Sequence, residues 1–142
     1  MKLFLIIGLA FLGYASSWAQ NTSTKAMETQ KRLKEKIALA CKLTDKEQIS
    51  RMNNLHQTIF RKVDKTVERA TTYELFFMHP DSRLTKEIFE FIGFEQLCCP
   101  WLHFQLSLQP ANGPISLKMG NSKETKEMVK LVMNLDKLQQ SH

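Results

Sequence analysis

Apolar residues recur at three- and four-residue spacings in four stretches of this chain and alternate with polar ones in three others. The clearest helical stripe is Ile49, Met52, Leu55, Ile59, Phe60 and Val63, one apolar face of an amphipathic helix. Before it, Thr44-Asp45-Lys46-Glu47 has the form of a capping box, with Leu43 placed as a hydrophobic staple. A second helix is predicted over 84–97, with Leu84, Ile88, Phe91, Ile92 and Leu97 inward and Gly93 inside it. The last helix carries Met128, Leu131, Val132, Leu135 and Leu138 on its inner face, with Asn121 and Glu124 as its cap. Residues 27–39 form a thinner case, since only Leu33, Ile37 and Ala40 fall on one side.

The alternating stretches predict strands. Residues 66–78 are rich in β-branched and aromatic side chains and form one strand, or one bent near Ala70-Thr71. Tyr73, Leu75 and Phe77 share a face, with Phe76 and Met78 on the other. Phe104, Leu106 and Leu108 alternate with polar residues, so that strand has one buried and one wet face. Ile115, Leu117 and Met119 form the return strand after Asn112-Gly113, a type I′ turn pair set in a slightly longer loop by Pro110 and Pro114. The expected fold is α+β, in the order α-α-β-α-β-β-α: a small three-stranded, mostly antiparallel sheet with helices packed on one face.

The ends of the chain add an address. Lys2, an apolar run from Leu3 to Tyr14 and the small residues Ser17 and Ala19 have the layout of a signal peptide over 1–19, cleaved after Ala19. The run is too short to span a membrane comfortably. Export places the protein in the periplasm or outside the cell. Residues 20–40 are then a polar leader and a loosely docked helix, and 41–139 a single α+β domain. The formal net charge is +6, but the basic residues are interleaved with acids as solvated helix faces. That pattern does not support nucleic-acid binding, and nothing in it specifies an oligomer.

Three cysteines remain after the signal segment: Cys41, Cys98 and Cys99. An odd number in an oxidising compartment leaves at least one thiol free or paired outside the chain. A domain of this size can bury a core without staples, so the cysteines are candidates for chemistry. Pro100 disfavours helical backbone at Cys99 and places the adjacent pair at a helix C-terminus. Cys41 lies before the capped helix, where the N-terminal dipole favours a thiolate. The site expected from these residues is a soft-metal site with Cys98, Cys99 and Cys41 as ligands. Mercury(II) or arsenite is the expected ion, or a small thiol-reactive ligand in its place. His103 is a candidate fourth ligand or proton donor, set against a plain surface role on the wet strand face. Glu95 is a candidate acceptor for a thiol proton, set against a solvent-facing position, and His56 fits a partly buried, satisfied histidine. Trp101, Phe104 and Phe94 offer an apolar wall. Two rivals stand beside metal binding. One is a thiol-disulfide redox protein using a vicinal Cys98-Cys99 pair; the other is a non-catalytic module that binds another envelope protein, its cysteines inert.

Glu95-x-x-Cys98-Cys99-Pro100-Trp101-Leu102-x-Phe104, with Cys41 before a capped helix and the Gly120-to-Glu127 segment, resembles a family of small uncharacterised bacterial proteins with the signature Glu-Arg-x-Cys-Cys-Pro-Phe-x-x-Phe. The likeness runs from about Cys41 to Leu131. It implies an association with mercury- and arsenic-resistance gene clusters, which accords with soft-metal handling. Gln96 and Trp101 depart from the pattern, and the export signal departs from relatives that look cytoplasmic.

Overall fold

A computed structural model describes residues 16–135. Residues 1–15, which carry most of the expected signal segment, and Leu138 with the expected domain end at 139 lie outside the described residues. The chain divides into two compact units between Arg32 and Leu33.

The first helix, α1 (Ser16–Ala40), is one continuous element of 25 residues. It crosses the expected cleavage junction at Ala19 and the segment expected as a polar leader, and it includes the helix expected over 27–39. Ser16–Ala40 holds no glycine or proline to break it, and from Lys25 onward it is rich in Ala, Lys, Leu and Glu, residues that favour a helix without a buried face; its Ser- and Thr-rich start has no such propensity. Its last two turns belong to the second unit, where Leu33 is buried and Ile37 packs on the core.

In that unit follow α2 (Lys46–Phe60), β1 (Lys65–Glu68), β2 (Tyr73–Phe77), α3 (Ser82–Cys98), β3 (Phe104–Leu108), β4 (Ile115–Met119) and α4 (Lys123–Val132). The class is α+β, with a sheet of four antiparallel strands in the order β1-β2-β4-β3 rather than three. The extra strand comes from 66–78, which folds as a hairpin. Glu68 pairs with Tyr73, and the Arg69 N–H donates to the Thr72 carbonyl at 2.8 Å. Arg69-Ala70-Thr71-Thr72 contains none of the Gly, Pro, Asn or Asp residues that normally mark such a turn.

The core forms on one face of the sheet. Tyr73, Leu75 and Phe77 are buried and lie opposite Met119, Leu117 and Ile115, which are buried as well. Leu55, Ile59 and Phe60 of α2, Leu84, Ile88 and Phe91 of α3 and Val129 of α4 belong to the same core. Each such side chain contributes about 1.5–3 kcal/mol when fully buried. Leu97, expected inward, is 46% exposed, while Glu87 and Glu95 take buried positions on α3.

Helix starts differ by one residue from the expected caps. Asp45, not Thr44, caps α2 by accepting from the Gln48 N–H at 2.9 Å. Ser122, not Asn121, caps α4, in a capping box with Thr125. In both cases a neighbouring side chain of equal (Ser122 against Asn121) or greater (Asp45 against Thr44) capping power wins the position. The β3–β4 turn also moves one residue earlier. Ala111 (φ 54°) and Asn112 (φ 56°) are its two central residues, and the Gly113 N–H donates to the Pro110 carbonyl at 3.0 Å. A turn centred on Asn112-Gly113 would need that bond from Pro114, which has no N–H.

Candidate functional site

Three backbone hydrogen bonds set the cysteines. The Cys41 N–H closes the end of α1 on the Ile37 carbonyl at 3.2 Å, and the next N–H, of Lys42, donates to the Leu97 carbonyl at 3.2 Å. The chain leaving α1 is thereby laid along the C-terminal turn of α3. There the Cys99 N–H donates to the Glu95 carbonyl, and Cys99 is the C-cap with φ −129° and ψ 64°. The expectation that the helix ends at the cysteine pair holds.

Cys98, the last helical residue, and Cys99, the first non-helical one, send their side chains different ways. Cys98 bonds to Cys41 in a disulfide spanning 57 residues. Cys99 keeps a free, buried thiol. The disulfide thus joins Cys41 to Cys98, and the adjacent Cys98-Cys99 pair is not linked. Cys41 also occupies a different environment from the one its sequence position implies. It sits at the C-terminal end of α1, with the N-cap of α2 at Asp45, so no helix N-terminus activates it. The bonded pair has one half-buried side, Cys41, and one sealed side, Cys98 at 5% exposure.

Across the seam, α2 presents Met52 and His56, four residues apart and so on one face, to Cys98 and Glu95 of α3. Met52 Sδ lies 3.9 Å from Cys98 Sγ. His56 Nε2 lies 2.5 Å from Glu95 Oε1. Arg51 and Glu90 clamp the same two helices from outside with paired contacts of 2.8 and 2.7 Å. His56 is edge-on to Phe91 at 5.2 Å between ring centroids and tilted on Phe60 at 5.8 Å. Its side chain is 20% exposed and lines a surface cavity of about 660 Å³ together with Asn53, Gln57, Phe60, Arg61 and Met133.

Glu95, offered by the sequence as an acceptor for a thiol proton or as a solvent-facing carboxylate, is 1% exposed, and its Oε2 is buried with no hydrogen-bond partner. Beside it, burial together with the charge and hydrogen bonding of Glu95 pushes the Cys99 thiol up from 9.0 to about 12. Cys99 is therefore a protonated, sealed thiol in the oxidised protein. His56 is the satisfied, partly buried histidine its position predicts. His103 is exposed on the segment before β3, where its carbonyl accepts from the Gly120 N–H at 3.0 Å. Trp101 and Phe104 pack on the core, as does Phe94. Among the described residues, no group of three or more His, Cys, Asp or Glu side chains is arranged to hold a metal ion.

Met52 is the neighbour of the site that sequence reasoning took only as core. Its signal was available: it lies four residues before His56 on the stripe that faces α3.

The class that fold and site define is a small α+β protein in which a disulfide joins the end of α1 to the last turn of α3. Comparison with protein-family models, with curated proteins and with solved structures found no match to this chain. No described helix is long and apolar enough to cross a membrane.

Proposed function

We propose that this chain is an exported thiol protein that binds a soft heavy-metal ion once its disulfide is reduced, with Cys41 and Cys98 as the two thiolate ligands. The observation that carries the reading is the meeting of Cys41 with Cys98 across 57 residues. Two cysteines near enough to bond become, on reduction, two thiols that share one small volume, and thiolates select soft ions. Mercury(II), content with two thiolates in line, suits such a pair. Arsenite, which takes three, would need Cys99, and that thiol is sealed beside Glu95. The resemblance of the Glu95-to-Phe104 segment to a family linked with mercury and arsenic resistance agrees with this reading, and a disulfide suits an oxidising compartment.

The test is titration of the reduced protein with mercury(II), read by sulfur-to-metal charge-transfer absorption. One ion per chain is expected in the wild type and in Cys99→Ala, and loss of binding in Cys98→Ser. Stoichiometric binding unchanged in Cys98→Ser would remove the proposal.

A second reading, thiol-disulfide exchange, is favoured by the half-buried side of the bond. An external thiolate attacks Cys41 Sγ, the bond to Cys98 breaks, and Cys98 leaves as a thiolate that takes up a proton. A mixed disulfide trapped on Cys41 during reduction by a small thiol would support it, and accumulation on Cys98 alone would oppose it.

A further inference from the structure

Met52 touches the very sulfur proposed as a ligand, and it reaches it from the opposite helix. Its thioether carries no proton and no charge, and it is half-buried at the α2–α3 seam. Mercury(II) gains little from such a third donor, whereas thiolate and thioether sulfur together select copper(I). Cys99 is not available for that position, because its thiol is sealed in the core beside Glu95. We propose that Met52 is the third ligand of the site and that its preferred guest is a monovalent soft ion, copper(I), held by Cys41, Cys98 and Met52. This rests on the reading that the reduced Cys41/Cys98 pair binds a soft ion.

A dithiol reductant transfers two electrons and two protons to the Cys41–Cys98 bond and is itself converted to a disulfide. Copper(I) then replaces the two thiol protons, which leave to solvent. It forms two bonds to thiolate sulfur and accepts one lone pair from the Met52 Sδ. No change in the oxidation state of copper is involved.

The experiment compares the reduced wild type with Met52→Leu, a swap of similar volume that keeps the seam packed. Copper(I) affinity is measured by competition with a chromogenic copper(I) chelator, and mercury(II) binding is measured in parallel. Met52→Leu is expected to bind copper(I) at least tenfold more weakly and mercury(II) within twofold of the wild type. X-ray absorption is expected to count three sulfurs around copper in the wild type and two in the variant. Equal copper(I) affinity in both proteins overturns the role of Met52. Mercury(II) binding without copper(I) binding in the wild type overturns this inference and leaves the thiol-pair reading standing. Binding of neither ion overturns both.

Discussion

Glu95 of α3, 1% exposed, meets His56 of α2 at 2.5 Å, and this contact ties the two helices at the level just below the disulfide. One carboxylate oxygen is satisfied by the imidazole and the other is sealed without a partner. Removing one member of a buried polar pair leaves the other unsolvated, which is worse than removing both. His56→Ala is therefore expected to destabilise the fold by about 2–3 kcal/mol, less than a fully buried pair because His56 is partly exposed. The double replacement His56→Leu/Glu95→Leu is expected to recover at least half of that loss. Urea denaturation of the three proteins decides it, and a double variant weaker than His56→Ala would refute the pairing argument.

The raised thiol of Cys99 makes stability pH-dependent on the alkaline side. The native state keeps this proton up to about pH 12, whereas the unfolded chain loses it near 9.0. The contribution is fully present below pH 9.0 and falls as pH rises toward 12, at up to about 1.4 kcal/mol per unit. Other groups titrate in this range, so the readout is the difference between wild type and Cys99→Ala at pH 8 and 10.5. The wild type is expected to lose more stability over that interval. Equal slopes would show that the thiol is not held as described.

The disulfide closes a long loop, and cross-linking a loop of this span removes unfolded-state entropy worth about 2–4 kcal/mol. Reduction of the wild type is expected to lower its stability by that amount, and Cys41→Ser to resemble the reduced wild type. The gap between oxidised and reduced samples should vanish in Cys41→Ser. A gap that persisted there would point to a different pairing.

Two turn residues carry opposite expectations. Ala111, at φ 54°, sits in the left-handed region without the freedom of glycine, so Ala111→Gly should leave the protein equally stable or more stable by up to about 1 kcal/mol. Gly120, at φ 97°, has the Thr71 carbonyl oxygen 2.9 Å from where a Cβ would stand. Gly120→Ala should cost about 1–3 kcal/mol. Thermal denaturation of both variants measures the two signs directly.

Periodicity revealed α2, α3, α4 and the inner faces of β2 and β4, because a buried face imposes its own spacing. It failed where burial is not the cause of structure. The 27–39 part of α1 was legible, but its extension back to Ser16 carries no periodic signal, and the β1–β2 turn forms without turn-marking residues. The site was partly legible: Pro100 located the end of α3, and the cysteine pair lies there. Which sulfur meets which was not legible, because a pairing across 57 residues depends on tertiary contacts such as that of Lys42 with Leu97. The solvent-facing alternative for Glu95 failed for a related reason: a carboxylate reads as solvent-facing until the histidine opposite it is known.

The two outer strands of the sheet are guarded unequally. β1 has four residues, with a charge at each end in Lys65 and Glu68, and short charged margins discourage a further strand from joining. β3 is longer, carries no charge along Phe104–Leu108, and leaves Leu108 48% exposed. Any tendency of this protein to stack into larger assemblies by backbone pairing would therefore begin at β3, and a lysine in place of Ser107 is the simplest way to suppress it.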